Sequence, residues 1–481
     1  RKKTGGTSQK RRNGNAVRRK HAHYHAQGRQ RLFFGRHAQY GKIYENTLQE
    51  EINMLKRPEL LIPAGGPEQL ETALLYGADA VYLSGNELSL RAKCDGFSLE
   101  ELRLGVQKAH AVKAKVYYCL NAMPYDRQLG DVVGMLKALP ETGVDALIIA
   151  DPGVLWLAKK HCPDLEIHLS TQAHSVNSAA VEFWKETGVQ RINLARELGK
   201  EDMTNIIRQF PDMEFEIFVH GAMCLALSGH CLMSAWINKR PANLGQCTQP
   251  CRFEYRGKKF NEISLTVEER QRQGEDCWDI EQGSDFSAIF APSDLCLVPF
   301  MDELVTMQPA SLKIEGRTKS PSYVAQVTDI YRTALDLACQ KQGIEPKFQP
   351  KRDIGKEEFM LELFNSSGKN PRPLSTGFFL PERKDRKAPA DYVPRPIVAR
   401  LGKEIKPLFY EVDVRSTWSN EKNASLLLPC MERPRIDRSG YTLYNHAQKQ
   451  VDTLHPGLKG YIRFSEDPEL PPLPENIFIR A

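Results

Sequence analysis

The chain has 481 residues, of which 41% are hydrophobic and 26% charged, an ordinary composition for a soluble globular protein. No apolar run approaches the roughly 18 residues that a transmembrane helix needs, and the N-terminus has no apolar signal core. The sequence therefore predicts no membrane span, no secretory signal and, by default, a cytoplasmic location. Thiols stay reduced there, so the 11 cysteines favour metal or redox chemistry over disulfides.

The net charge of +6 conceals a strong asymmetry between the N-terminus and the rest of the chain. Residues 1–42 contain 13 Lys or Arg and no Asp or Glu, whereas the remainder holds 53 basic and 60 acidic residues. We interpret residues 1–57 as a basic disordered tail, which would favour nucleic acid through attraction to phosphate. A dispensable extension is the alternative, since Met54 precedes the first strand candidate and would serve as a start.

From residue 58 the sequence alternates between short apolar runs and helical patterns. The strand candidates are 59–64, 80–84, 115–121, 145–151, 166–171, 190–195, 214–220 and 311–315. The helix candidates are 67–76, 99–111, 129–139, 154–161, 178–186, 200–209 and 322–338. Eight such units predict an α/β fold, a (β/α)8 TIM-like barrel over residues 58–340, with its active site at the carboxyl ends of the strands. A doubly wound open sheet is the alternative, although the sequence has neither a Rossmann nor a P-loop phosphate motif.

Three segments depart from this alternation. Residues 220–308 form an insertion after the seventh strand candidate, which a barrel would place at the catalytic face. Residues 341–395 are rich in Pro, Lys and Arg and are interpreted as a linker with little core. Residues 396–481 contain short β-prone runs such as PIVARL and PLFYEVDV, and they predict a small C-terminal β-barrel or sandwich domain.

The insertion opens with four cysteines, Cys224, Cys231, Cys247 and Cys251. Four thiolates suit either structural zinc or an iron–sulfur cluster. Structural zinc usually shows two CxxC-like pairs, and no spacing here is that tight. An irregular set on a loop at a barrel mouth is more typical of a [4Fe–4S] cluster, with zinc and unrelated thiols as alternatives. Cys277 and Cys296, in the same insertion, would be the substitutes for a missing ligand.

The cysteine segment FVHGAMCLALSGHCLMSAWINKRPANLGQCTQPCR, residues 218–252, resembles the signature of the collagenase-like peptidases, the bacterial and archaeal peptidase U32 family. Residues 58–83, 167–199 and 311–336 resemble the first strand–helix–strand unit, the middle segment and the last barrel unit of that family, in family order. The basic tail and the charged stretch between the cysteines and APSDLC depart from the family pattern. These departures leave the barrel assignment unchanged. They concern the choice of substrate within the family.

Within this family, the chain most resembles the members that hydroxylate tRNA. That resemblance implies conversion of a wobble uridine to 5-hydroxyuridine without O₂, with prephenate as a cosubstrate and tRNA as the partner. Members of the same fold also hydroxylate a cytidine of ribosomal RNA or the ubiquinone ring, and several carry a [4Fe–4S] cluster on four cysteines. The resemblance therefore implies a cluster on the four cysteines named above, together with an electron-donor protein as a further partner.

Two arginines are the candidates for binding prephenate. A dicarboxylate suits guanidinium groups, which hold carboxylates through paired hydrogen bonds. Arg196 follows the sixth strand candidate and Arg317 follows the eighth, with Glu315 in the same predicted site. The structural alternatives are an ion pair of Arg196 with Glu197 and one of Arg317 with Glu315.

Three residues at the ends of strand candidates are the predicted catalytic groups. His220 would act as a general acid or base, or would fix the cysteine loop through a hydrogen bond. Asn121 and Gln172 would read a pyrimidine edge or bind a carboxylate, unless they only satisfy backbone groups of the loops.

The residues predicted to bind RNA are Lys239, Arg240 and Asn243, between the second and third cysteines. They would contact phosphate, or simply form a solvated face. Two other functions stay open. One is a collagenase-like protease. The sequence has no HExxH or GxSxG motif, so the only candidate for protease catalysis is a weak pairing of Cys224 as nucleophile with His220 as base. A non-catalytic assembly factor with a structural cluster is the other.

Overall fold

Eight short parallel strands close into a barrel. The strands are β1 Glu59–Pro63, β2 Ala80–Leu83, β3 Lys115–Leu120, β4 Ala146–Ile149, β5 Glu166–Leu169, β6 Arg191–Asn193, β7 Glu214–Ala222 and β13 Ser311–Ile314. β1 to β7 pair in sequence order, and β13 pairs in parallel with both β7 and β1. The predicted (β/α)8 barrel is therefore confirmed, and the alternative of an open sheet is wrong.

The computed structural model describes residues 55–85, 96–224, 226–228, 230–240, 242–244, 246–253, 292–368, 371–382, 384–466 and 471–481, with four short strands between 266 and 288. The predicted basic tail lies outside the described residues except for 55–57.

Helices separate the strands and cover the barrel. They are α1 Pro67–Leu75, α2 Leu99–Ala111, α3 Leu129–Ala138, α4 Pro152–His161, α5 Ser178–Glu186, α6 Lys200–Gln209, α7 Met233–Asn238, α8 Met301–Met307, α9 Pro321–Lys341 and α10 Lys356–Ser366. Local sequence fixes several of their starts. Ser98 and Glu101 form a capping box at α2, and the Asp151 side chain accepts from the Val154 amide at α4. The apolar faces of these helices pack on the strands in one continuous core.

The insertion after β7 returns to the barrel at its end. Its short strands are β8 Thr266–Glu268, β9 Cys277–Asp279, β10 Glu281–Gln282, β11 Ser287–Ala288 and β12 Asp294–Cys296. β12 pairs antiparallel with the end of β7, with Asp294 opposite Ala222 and Cys296 opposite His220. The start and the end of the insertion are therefore joined beside the carboxyl end of β7.

Residues 341–395 differ from the expected linker with little core. In α10, the side chains of Phe359, Met360, Leu363 and Phe364 are buried in the main core. The segment also supplies β14 Leu374–Ser375, which pairs with β12, and β15 Asp385–Arg386. The apolar spacing within EFMLELF is helical, but the surrounding charges and prolines obscure it in a composition-based reading.

An antiparallel sheet forms the C-terminal domain. Its strands are β16 Ile397–Lys406, β17 Phe409–Val414, β19 Ala424–Leu427, β20 Arg435–Ile436, β21 Tyr441–Tyr444, β22 Gln450–Val451, β24 Lys459–Phe464 and β25 Phe478–Arg480, with a separate ribbon of β18 Trp418–Ser419 and β23 Thr453–Leu454. The predicted small β domain is confirmed in the form of an open half-barrel. It is tied to the barrel by buried ion pairs, Arg433 to Asp329 at 2.6 Å and Arg480 to Glu362 at 2.7 Å.

A charged network fills the amino end of the barrel interior. Arg191 binds Glu59 at 2.8 Å, and Tyr117 Oη donates to Glu59 at 2.6 Å. Lys313 Nζ donates to Glu216 at 2.7 Å. Burial alone would raise the pKa of Glu216, but Lys313 and Arg191 lower it. The network pairs its charges near the start of the strands, although Glu216 Oε2 is buried without a hydrogen-bond partner. In this fold the active site lies at the other end, where the strands have their carboxyl ends.

Candidate functional site at the barrel mouth

Four of the predicted site residues lie at the carboxyl ends of the barrel strands. Asn121 follows β3, Gln172 follows β5, Arg196 follows β6 and Glu315 follows β13. The barrel brings these ends together at one mouth although they are spread over nearly two hundred positions of the sequence.

Arg196 is held rigidly at this mouth. Its NH1 donates to the Ala222 carbonyl oxygen at 2.7 Å, and its NH2 donates to Glu315 Oε2 at 2.9 Å. The guanidinium carbon lies 3.7 Å from the centroid of the Phe218 ring. The partner of Arg196 is thus Glu315 and not the neighbouring Glu197 that the sequence offered as an alternative. Its Nε is buried and makes no hydrogen bond.

Arg317 lies in the loop that crosses the end of β1. Its side chain is buried, and its field lowers the pKa of Tyr118, which burial raises to about 12. A Cβ on Gly65 would stand 2.1 Å from the Arg317 carbonyl oxygen, so only glycine fits beneath the loop. Arg317 therefore belongs to the floor of the mouth.

Besides Arg196 Nε, the loops after β5 and β6 carry four buried polar atoms without a hydrogen-bond partner. They are Gln172 Oε1, His174 Nε2, Ser175 Oγ and Glu197 Oε2. Buried polar groups are nearly always satisfied, so a group of them in one place indicates that the site is built for a polar molecule. Burial and nearby His230 lower the pKa of His174, and Glu197 opposes this.

His230 of the cysteine loop closes over this group. Its Nε2 donates to the Gln172 carbonyl oxygen at 3.1 Å, and its ring lies 5.2 Å from that of His174. Asn121 Nδ2 donates to Ser170 Oγ at 3.3 Å. The sequence analysis missed His174 and His230 and considered Glu197 only as an ion-pair partner. Their one sequence signal was position, since all three lie in loops that follow strands or between cysteines.

His220 lies away from the mouth. It is 4% exposed, its Nδ1 lies 3.3 Å from Tyr331 Oη, and its ring packs against Tyr331 and Tyr323 of α9. Burial lowers its pKa to about 4. The predicted role as an acid or base therefore does not fit this geometry, because a neutral ring packed against α9 neither faces the mouth nor gains a proton near pH 7. The position suits an anchor beneath the cysteine loop.

The four cysteines of the loop are all free thiols. Burial raises the pKa of Cys251, Arg252 opposes this, and Cys247, Cys224 and Cys231 each raise it further. Two hydrogen bonds join the segments that carry the thiols. Arg252, next to Cys251, donates to the Met223 carbonyl oxygen beside Cys224 at 2.9 Å, and the Thr248 amide beside Cys247 donates to Ser234 Oγ at 2.9 Å.

The cysteine loop borders the mouth. Cys224 is exposed and follows Ala222 by two residues, and the Ala222 carbonyl oxygen accepts from Arg196 NH1 at 2.7 Å. Within the described ranges, no three Cys, His, Asp or Glu side chains converge tightly enough to hold one ion. The donor set fits a thiolate-bound metal centre in kind, and binding would have to draw the loop together. The Cys277 side chain lies outside the described residues, and Cys296 is buried against Tyr331.

The residues predicted to bind RNA lie on the outer part of the same loop. Lys239 is exposed and ends α7 in a left-handed conformation, with φ of 56°. Arg240 Nε donates to the Gln246 carbonyl oxygen at 3.2 Å. Trp236, one turn before, is 84% exposed. The side chain of Asn243 lies outside the described residues. This face therefore presents a cation and an aromatic ring to solvent.

Comparisons with known proteins agree with this architecture. The chain is 42% identical over 314 residues to the tRNA hydroxylation protein P of Escherichia coli (strain K12), covering 59% of this chain and 69% of that protein. It is 36% identical to the tRNA hydroxylation protein P1 of Bacillus subtilis (strain 168), covering 67% and 71%. It is 34% identical to a 23S rRNA 5-hydroxycytidine synthase of Escherichia coli (strain K12), covering 60% and 40%.

No helix in the part of the chain that the structure describes is both long and apolar enough to cross a bilayer. The family profile described as Peptidase family U32 matches residues 65–389, which include barrel strands β2 to β7 and β13 and the cysteine loop. The chain belongs to the peptidase U32 family.

Proposed function

We propose that this protein is an RNA-modifying hydroxylase that converts a wobble uridine of tRNA to 5-hydroxyuridine without O₂ and with prephenate as cosubstrate. Relatives at 42% and 36% identity are named tRNA hydroxylation proteins, and a third is named as a synthase of hydroxycytidine in ribosomal RNA. These names share one chemistry, the hydroxylation of RNA.

One observation carries the proposal from the relatives to this chain. A fixed guanidinium, a group of free thiols and unpartnered polar atoms lie side by side at one barrel mouth. Arg196 donates to the Ala222 carbonyl oxygen, two residues before Cys224, and the cysteine loop contacts Gln172 through His230. Pyrimidine hydroxylation without O₂ needs an electron route, an oxygen-bearing cosubstrate and a base pocket, and each of these groups suits one of the three.

The four cysteines would hold a [4Fe–4S] cluster. Thiolates are the usual ligands of such clusters, and the four free thiols lie on one loop. A bound cluster would supply single-electron transfer or a Lewis-acidic iron. His220, packed against α9 at the end of β7, would keep the root of the loop in place.

Arg196 and Arg317 would bind the dicarboxylate. Arg196 is already oriented by Glu315 and by the Phe218 ring, so little side-chain entropy remains to be lost on binding. Its buried Nε still has an unused N–H. A carboxylate that reached Nε would gain a charge-assisted hydrogen bond in a site shielded from water. Glu315 has the role of a positioning residue for Arg196.

The uracil edge would be read by the unpartnered polar atoms. Uracil presents an N3–H donor between two carbonyl acceptors. Gln172 Oε1 and Glu197 Oε2 are acceptors, and His174 Nε2 donates in one of its neutral tautomers. Filling these sites would satisfy buried groups that otherwise cost about 1–3 kcal/mol each. Trp236 and Lys239, on the exposed face of the loop, would contact neighbouring nucleotides through stacking and charge.

The test is reconstitution of the reaction. The full chain is purified anaerobically and incubated with a tRNA transcript with and without prephenate, and the nucleosides are analysed by mass spectrometry. We expect 5-hydroxyuridine only when protein and prephenate are both present. A protein that makes none, but cleaves collagen or casein even after Cys224→Ala, would overturn the proposal in favour of proteolysis.

A further inference from the structure

A cavity lies between the barrel and the half-barrel. It has a volume of about 600 Å³ and is bounded by the start of α9, the end of α10 and the half-barrel near Ile397 and Phe478. This volume is within the range of roughly 300–1,000 Å³ that is usual for ligand sites. None of the residues proposed above for catalysis or cosubstrate binding lines it.

We propose that this cleft binds the phosphodiester backbone of the RNA strand whose base enters the barrel mouth. The inference rests on the proposed function, since it concerns how the RNA substrate is held. The ligand is defined by its chemistry, a short stretch of single-stranded RNA recognised through its phosphates.

The cleft carries an excess of positive charge. Three cations from three separate segments line it, namely Lys319, Arg372 and Arg415. Lys319 is exposed, its Nζ lies 5.1 Å from the Tyr323 ring centroid, and it forms no ion pair among the described residues. Arg415 is compensated by Asp413 at 2.8 Å and by Glu68. Lys319 is therefore the cation that counts most for an incoming anion.

The lining contains one carboxylate, and that group is already neutralised. Asp294 binds Arg252 at 2.6 Å. Arg372 donates to the carbonyl oxygen of Arg252 at 3.1 Å, so the cation of the cleft and the ion pair form one connected unit. A polyanion entering the cleft would thus meet cations without an opposing free carboxylate from these residues.

Hydroxyl groups complete a surface suited to phosphate. Ser320 and Ser322 at the start of α9 lie 3.0 Å apart, and Ser366 and Ser367 face them from the end of α10. Arg, Lys and Ser are the side chains that most often contact nucleic-acid phosphates. The small apolar share of the wall, Ile397 and Phe478, suits the ribose faces.

The cleft is joined to the mouth by short chain connections. Lys319 follows Arg317 of the mouth floor by two residues. Arg252, which holds Asp294, follows Cys251 directly and donates to the Met223 carbonyl oxygen at 2.9 Å. A strand lying in the cleft would therefore pass beside the cysteine loop on its way to the mouth.

The experiment measures RNA binding as a function of salt. A fluorescent anticodon stem-loop is titrated with the full chain, with Lys319→Gln, and with Lys319→Gln combined with Arg372→Gln, between low and high salt. Each lost phosphate contact should reduce the slope of log affinity against log salt by about 0.7, the value for single strands. We expect weaker binding by several-fold at low salt and a slope that falls with each substitution. Lys137→Gln, an exposed lysine on α3, is the matched control and should leave both unchanged.

The outcomes separate this inference from the proposed function. Equal affinity and equal slope for the wild type and both variants would overturn the cleft as the backbone site while leaving the hydroxylase proposal intact. A wild type that does not bind the stem-loop would overturn both. If inorganic phosphate at low millimolar concentration binds the wild type but not Lys319→Gln, and the RNA slope stays the same, the cleft is a small-anion site and the RNA assignment is wrong.

Discussion

Arg196 and Glu315 form an ion pair of 2.9 Å across the barrel mouth, although β7 lies between their strands. The guanidinium bridges over β7 by stacking on Phe218. The two residues are separated by 119 positions in sequence. The pair therefore depends on closure of the barrel, and it fixes the group proposed to bind the dicarboxylate cosubstrate.

Arg196→Lys should weaken prephenate binding. Lysine keeps the charge but loses the planar fork and the Nε–H that the dicarboxylate would use. Loss of one charge-assisted hydrogen bond costs about 1.5–3 kcal/mol, which corresponds to a rise in KM for prephenate on the order of 10- to 100-fold. Steady-state kinetics with varied prephenate at saturating RNA measures this, and Arg103→Lys on the surface of α2 serves as control.

Glu315→Gln should have the opposite effect and strengthen prephenate binding. The amide oxygen still accepts from Arg196, but the negative charge that competes with the cosubstrate is gone. We expect a lower KM for prephenate with kcat changed less. If both Arg196→Lys and Glu315→Gln raise KM equally, the pair is structural and the dicarboxylate binds elsewhere.

Each single Cys→Ala substitution at the four loop cysteines should abolish the cluster. A [4Fe–4S] centre needs all its thiolates, and a loop without its ligands stays open. Anaerobic purification followed by iron and sulfide analysis should give about four irons for the wild type and little for Cys224→Ala or Cys251→Ala. Cys339→Ala, a buried cysteine of α9, is the control for a general loss of fold.

The same measurement can reject the ligand set. Zinc in the wild type would make the cysteines structural and weaken the redox part of the proposed function. Full iron content in all four single variants would mean that other residues hold the metal, with Cys277 and Cys296 as the next candidates.

His220 should make the protein less stable in mild acid. Its folded-state pKa of about 4 lies below the usual value of 6.5, so the unfolded chain takes up the proton first as the pH falls. The free energy of unfolding should therefore decrease between about pH 6.5 and pH 4, by up to about 3 kcal/mol from this residue. Urea unfolding at several pH values measures it.

His220→Gln provides the comparison, since glutamine can still hydrogen-bond to Tyr331. Between about pH 6.5 and pH 4, the free energy of unfolding of this variant should depend less on pH than that of the wild type. His446→Gln, on the exposed surface of the half-barrel, is the control and should keep the wild-type pH dependence. Identical pH profiles for His220→Gln and the wild type would mean that the histidine ring reaches solvent.

The barrel was predictable because its strands can be recognised from local sequence patterns. Most strands are short apolar runs, and five of the seven predicted helices begin within two residues of a side-chain cap or proline that the structure uses. The direction of the His220 side chain could not be predicted from the local sequence. Alternation would place Glu216, Phe218 and His220 on one face, but the register shift between Lys313 and Ile314 opposite β7 breaks the alternation.

The partners at the mouth could not be read from sequence for a related reason. An arginine next to a glutamate, as in Arg196–Glu197, suggests a local ion pair, yet the closed barrel brings Glu315 nearer. His174 and Glu197 are candidate site residues because the structure leaves a buried polar atom of each without a hydrogen-bond partner. Burial and satisfaction of polar groups are properties of the packed structure, which no spacing in the chain encodes.

Glu197→Gln should relax the choice between uridine and cytidine. A carboxylate accepts the N3–H of uracil but repels the N3 lone pair of cytosine, whereas an amide can rotate to donate. We expect the ratio of kcat/KM for a stem-loop with uridine over the same RNA with cytidine to fall on the order of 10-fold or more, equivalent to about 1–3 kcal/mol for one buried hydrogen bond. Mass spectrometry of the two hydroxylated nucleosides measures the ratio, and Glu201→Gln on the exposed face of α6 is the control. Equal losses on both RNAs would show that Glu197 supports the fold of the mouth, and an unchanged ratio at full activity would remove it from the base pocket.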